Sequence, residues 1–143
     1  MEIKQDILIK LAKKFLGKPY KYGAKPEEAP IAFDCSSFVQ YIYKEIKIGL
    51  PRTAIEQASC GKKVKSVKKL EPGDLIFIKG IVGRYNQEFP QGVGHVAIYM
   101  GDNKIIQARY KKNQDGSDGG SVEISKADKI LSRKDLTVIK RII

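Results

Sequence analysis

The sequence has no tryptophan, one histidine and two cysteines in 143 residues. Each shortage excludes something. Two cysteines, Cys35 and Cys60, cannot build the framework of a disulfide-stapled mini-protein. A single Cys35–Cys60 bridge is the minor alternative to two free thiols. One histidine and two scattered cysteines make no zinc-ligand cluster, so no metal site and no cofactor are expected. No apolar run approaches the roughly 20 residues of a membrane-spanning helix, so no span is expected. Walker-type and dinucleotide glycine motifs are absent, as is the aromatic-plus-basic strand of an RNA-recognition module. Nucleic acid is therefore not an expected partner. The acidic segment 113–120 suggests a calcium loop, but Asp118 stands where an EF-hand needs glycine and Ile124 where it needs glutamate. The opening residues carry Glu2 and Asp6 where a secretory leader needs bases. The expectation is a cytosolic chain, or a mature piece given a new start methionine.

What is present fits an ordinary globular chain: 42% hydrophobic and 30% charged residues can both build a core and cover it. The length suits one domain, taken to span residues 1–143. A net charge of +11 attracts polyanions in general. The lysines are spread over several clusters: Lys10/Lys13/Lys14, Lys62/Lys63/Lys65, Lys68/Lys69 and Lys111/Lys112. They form either a solvated surface or a contact for an anionic polymer.

Apolar residues Ile3, Ile7, Leu8, Leu11, Ala12 and Phe15 recur at helical spacing, which predicts an amphipathic helix over residues 3–16. Residues 20–33, rich in Gly, Pro and Glu, read as a loop. A second helix is predicted from Asp34, a good N-cap, through the stripe Phe38, Val39, Ile42, Tyr43 and Ile46. Residues 53–59 suit one or two helical turns. The second half then changes period. Strands are predicted at 75–78, 95–100, 104–108, 121–124 and 136–142, with a short helix near 126–131 and a long loop over 79–94. Helices first and an antiparallel meander afterwards make an α+β plan.

Cys35 falls at the start of the second predicted helix. Partial positive charge and unpaired amides gather there. Such a setting is expected to lower a thiol pKa and to offer donors to an oxyanion. By position alone Cys35 could equally be a buried structural cysteine. His95 heads an apolar strand after Gly92-Val93-Gly94, and a lone histidine is more often structural than catalytic. Together the two are the parts of nucleophilic thiol catalysis, if the fold joins them. Gln107 lies on the returning strand and could orient the imidazole, or could face outward. Cys60 reads as structural.

Five local motifs then occur in one order over residues 20–108. Phe33-Asp34-Cys35-Ser36-Ser37-Phe38-Val39-Gln40-Tyr41 resembles the nucleophile motif of the NlpC family of papain-like cysteine endopeptidases. Similar in kind are Tyr20-Lys21-Tyr22-Gly23, Leu50-Pro51-Arg52-Thr53 with Gln57 and Gly61, and Leu70-Glu71-Pro72-Gly73-Asp74-Leu75-Ile76-Phe77. Gly94-His95-Val96-Ala97-Ile98-Tyr99-Met100-Gly101, ahead of Ile106-Gln107-Ala108, completes the set. The resemblance implies a papain-like α+β fold, with N-terminal helices packed on a curved antiparallel sheet of about five to six strands. It implies Cys35 as nucleophile, His95 as base and Gln107 as third polar residue. Tyr20, Asp34, Ser36 and Ser37 would meet substrate. The implied reaction cuts peptidoglycan stem peptides, commonly between D-γ-glutamyl and a diamino acid, in the cell envelope or outside it. Three departures stand out. Gln107 replaces a frequent histidine, Ser37 a usual glycine, and Ala24 another. The same fold class also hosts amidases, deamidases and acyltransferases, and a basic non-catalytic binding domain is the rival of a different kind.

Overall fold

The structure is a computed structural model, and it describes residues 3–143. Helix α1 (Lys4–Lys13) and helix α2 (Cys35–Glu45) precede the short α3 (Ala54–Gln57). Six strands follow: β1 (Lys62–Lys63), β2 (Leu75–Ile78), β3 (His95–Gly101), β4 (Lys104–Lys112), β5 (Asp118–Lys126) and β6 (Leu136–Arg141). A fourth helix, α4 (Ala127–Leu131), lies between the last two. The strands form one antiparallel sheet in the order β1-β6-β2-β3-β4-β5. This is the α+β class expected from the sequence, with six strands. Register irregularities at Phe77/Ile78 and Tyr99/Gly101 bend the central strands.

Strand β2 reads Leu-Ile-Phe-Ile and is buried on both faces. Alternation explains why. Leu75 and Phe77 pack toward the N-terminal helices, in a core with Phe33, Phe38, Val39, Ile42, Tyr43, Val96, Ile98 and Ile106. Ile76 and Ile78 face the other way, where Ala97, Ile105 and Ile139 meet Ala127 and Ile130 of α4. Helices thus cover both faces of the sheet. Burying one phenylalanine such as Phe38 fully is worth about 2–3 kcal/mol by area, and deleting it costs about 3–5 kcal/mol once the cavity is included.

Three boundaries differ from expectation. Helix α1 ends at Lys13, because Lys14 and Phe15 donate to carbonyls three residues back and the chain tightens toward Gly17. The β4–β5 hairpin runs beyond its apolar centre, pairing Lys104 with Lys126 at one end and Lys112 with Asp118 at the other. Its outer rungs are charged and exposed, so they carry no hydrophobic alternation to read. Strand β1 is two exposed lysines held against Arg141 and Lys140 of β6. The clustered lysines singled out above are all exposed. Among the described residues, no helix is long and apolar enough to cross a membrane.

Candidate active site

Cys35 is the first residue of α2. Asp34 caps the helix by accepting from the Ser37 amide at 2.8 Å, and Ser37 Oγ accepts from the Asp34 amide at 2.9 Å. This reciprocal box fixes the turn that carries the sulfur. The N-terminal amides of a helix have no intrahelical acceptor, so the first turn presents free donors beside Cys35.

Asp34 is also the hub of a buried polar cluster. Its carboxylate accepts from two guanidinium nitrogens of Arg52 at 2.7 and 3.2 Å and from the Gly23 amide at 3.2 Å. Arg52 further donates to Ser36 Oγ at 2.9 Å and to the Ala24 carbonyl at 2.6 Å. Behind it, Gln57 Nε2 donates to the carbonyls of Ser36 and Pro51. The loop after α2 is thereby tied to the turn that carries Cys35. Arg52 and Gln57 lie in motif segments quoted above, yet sequence reasoning gave neither a role.

The sulfur of Cys35 lies 3.8 Å from the Gly94 carbonyl oxygen. The Val96 amide also acts on it. Gly94 and Val96 flank His95 at the head of β3, so the sulfur meets the backbone on either side of His95, whereas His95 and Gln107 do not line the cleft that opens at the sulfur. Gly94 is also closely approached by the long loop: a Cβ there would run into the Lys79 carbonyl and sit 2.8 Å from the Gly83 amide nitrogen. His95 Nε2 and Gln107 Oε1 are 2.7 Å apart. Gln107 is buried and faces the imidazole, not solvent.

Burial changes the electrostatics expected from the sequence. Cys35 is only 8% exposed, and the Asp34 carboxylate is close. Desolvation first, then that like charge, push its thiol up to about 11, against the lowering effects of the Val96 and Ser36 amides and Arg52. The expectation that the helix start would lower this pKa is corrected: loss of water outweighs the helix end. At rest Cys35 is a thiol. His95 is pushed below its ordinary value by burial, with Arg109 and Arg133 acting the same way and Gln107 and Glu123 opposing. At rest Cys35 is thus a neutral thiol and His95 a neutral imidazole.

A cleft of ≈ 260 Å³ opens at the sulfur. Tyr20, Asp34, Cys35 and Ser36 line it, so three of the four residues expected to meet substrate do face it. Ser37 does not; it is held in the capping box. Burial and the neighbouring Cys35 and Asp34 raise the Tyr20 phenol. Four lining residues, Val82, Arg84, Val93 and Gly94, come from the long loop, and Val82 and Arg84 had no sequence signal. That loop is folded back by paired backbone bonds between Arg84 and Val93 at 2.8 and 2.9 Å. Both cysteines are free thiols, and Cys60 lies apart from the cleft. Among the described residues, no group of three or more His, Cys, Asp or Glu side chains is placed to hold a metal.

Known proteins are similar to this chain in sequence and in fold. The family model described as NlpC/P60 family matches residues 17–140. A protein named probable endopeptidase p60 from Listeria seeligeri is 36% identical over 102 residues, 71% of this chain and 17% of that protein. A Bacillus subtilis protein named gamma-D-glutamyl-L-lysine dipeptidyl-peptidase is 30% identical over 127 residues, 89% of this chain and 37% of that one. The chain therefore spans well under half the length of these curated relatives. The crystal structure of an NlpC/P60 family protein from Bacillus cereus superposes with a TM-score of 0.73 at 30% identity, covering 99% of this chain and 41% of that one. The matched residues run from after α1 almost to the end of β6 and hold nearly all of the domain, so the chain belongs to the NlpC/P60 family.

Proposed function

We propose that this chain is a cysteine peptidase that hydrolyses the amide bond between γ-D-glutamyl and a diamino acid in peptidoglycan stem peptides. The observation that carries the reading is the Cys35 sulfur at the amide end of α2, 3.8 Å from the carbonyl preceding His95. As the sulfur attacks the scissile carbonyl, His95 takes the thiol proton and a C–S bond forms. First-turn amides stabilise the oxyanion. The tetrahedral intermediate collapses, the leaving amine takes the proton from His95, and water then cleaves the thioester.

The name of the B. subtilis dipeptidyl-peptidase supports the choice of bond. Charge supports an anionic substrate. Arg84 is exposed at the cleft, and its guanidinium makes no hydrogen bond or ion pair among the described residues, whereas Arg52 is taken up by Asp34, Ser36 and Ala24. The exposed lysines would favour an anionic wall polymer in the same sense.

The test is cleavage of L-Ala-γ-D-Glu-L-Lys followed by mass spectrometry. The wild type should release lysine, and Cys35→Ala should release none. A second reading, a non-catalytic peptidoglycan-binding domain, is favoured by the deep burial and high pKa of Cys35. It predicts that wild type and Cys35→Ala bind the peptide equally and that neither cuts it.

A further inference from the structure

The hydrogen bonds around His95 continue past Gln107. Gln107 Nε2 donates to Ser125 Oγ at 3.3 Å, and Ser125 Oγ donates to Glu123 Oε2 at 3.1 Å. Both residues lie on β5, where Glu123 is the register partner of Gln107. Arg109 on β4 stands 3.8 Å from the same Glu123 oxygen. Neither Ser125 nor Glu123 touches the cleft.

We infer that Glu123, acting through Ser125, sets the tautomer of His95, so that both are positioning residues for the proposed base. The chain of donors can be read from its acidic end. An ionised carboxylate only accepts, so the Ser125 hydroxyl must donate to it. The serine oxygen then remains as an acceptor, and Gln107 must turn its NH2 group toward it. That places Gln107 Oε1, which only accepts, against His95. Nε2 must therefore carry the ring proton, and the lone pair stays on Nδ1. Gln107 alone would not enforce this. A carboxamide can rotate by half a turn and offer NH2 to the ring instead, which would protonate Nδ1 and remove the base. The carboxylate makes the two orientations unequal. Its charge also favours the imidazolium formed during attack, against Arg109 and Arg133.

This rests on the reading of His95 as the base, but its main test does not require turnover. His95 is the only histidine, so its ring nitrogens need no assignment. Long-range 1H–15N spectra of protein labelled at histidine, at pH 8 where the imidazole is neutral, report the tautomer directly. The wild type should show a single Nε2–H form. In Glu123→Gln an amide can donate to Ser125, and the chain can reverse. That variant and Ser125→Ala should both show a mixture or the Nδ1–H form, whereas Ser125→Thr, which keeps the hydroxyl, should retain the wild-type form. With peptide substrate, Glu123→Gln should lower kcat about tenfold and leave KM within about twofold. A wild-type Nδ1–H form overturns the inference, and so does an unchanged tautomer in both disruptive variants, even if the peptide is cut. The expected tautomers without any peptide cleavage support the inference and reject the hydrolase reading.

Discussion

Titrating Cys35 separates two kinds of thiol enzyme. A thiolate–imidazolium pair reacts with alkylating agents over a broad acid-to-neutral plateau. The burial seen here gives a different profile. With the thiol near 11, the thiolate fraction at pH 7 is about 0.01%. An ordinary cysteine with a pKa of 9.0 would be about 1% ionised, so Cys35 should be about a hundredfold poorer in thiolate at that pH. Its reaction with iodoacetamide, followed by peptide mass spectrometry, should rise about tenfold per pH step from 7 to 10 and level off only near 11. Asp34→Asn removes the adjacent negative charge and frees Arg52, both of which favour the thiolate, so the rise should move to lower pH. The asparagine keeps an N-cap acceptor, but it leaves a part-buried guanidinium without its counter-ion, at a stability cost of about 1–3 kcal/mol. Fast alkylation that is flat from pH 5 to 8 would refute the neutral-pair reasoning. A rise moved upward by Asp34→Asn would refute the attribution to Asp34.

Peptide hydrolysis should have one acid limb, set by His95 with a midpoint below 6.5, since burial lowers that pKa; a midpoint above 7 in kcat/KM would contradict it. Arg84→Gln should raise KM for L-Ala-γ-D-Glu-L-Lys about fivefold, as expected of one exposed charge contact, and an unchanged KM in steady-state assays would show that this cation does not meet substrate. Gly94→Ala should cost about 2 kcal/mol and lower the melting temperature by about 5 °C, because its Cβ has no room beside Lys79 and Gly83; calorimetry showing no loss would contradict the close approach. Asp135 anchors the start of the long loop by accepting from the Gly80 amide and from Arg133, which holds its carboxyl down to about 2. That anchor should be complete above the ordinary carboxylate value and lost only as pH falls through about 2; a Gly80 amide shift titrating near 4 would disprove it.

Local signals in the chain were enough for part of this. The apolar spacing of α2, its Asp34 cap and the position of Cys35 at its start depend on residues within a turn or two of one another, and the structure has them as read. The same holds for β2 and for the strand headed by His95, whose apolar runs end at glycine turns. Gln107 was legible as a polar residue between apolar neighbours, but its direction was not. Other features had no local signal. Glu123 and Ser125 look like ordinary alternating strand residues, and only the β4–β5 register brings them under Gln107. Arg84 and Val82 reach the cleft because the long loop folds back on Val93.

The sequence by itself therefore determined the class of fold and the family, and it singled out Cys35 and His95 as candidates, because helix periods, caps and ordered motifs are properties of neighbouring residues. Only the tertiary structure decided the state of that pair. Helix-end charge is local and argues for a thiolate, but desolvation depends on everything packed around the sulfur, and here it is the larger effect. The hydrogen-bonded chain that leads from His95 through Gln107 and Ser125 likewise ends on a carboxylate, Glu123, that the fold brings back 28 residues after His95.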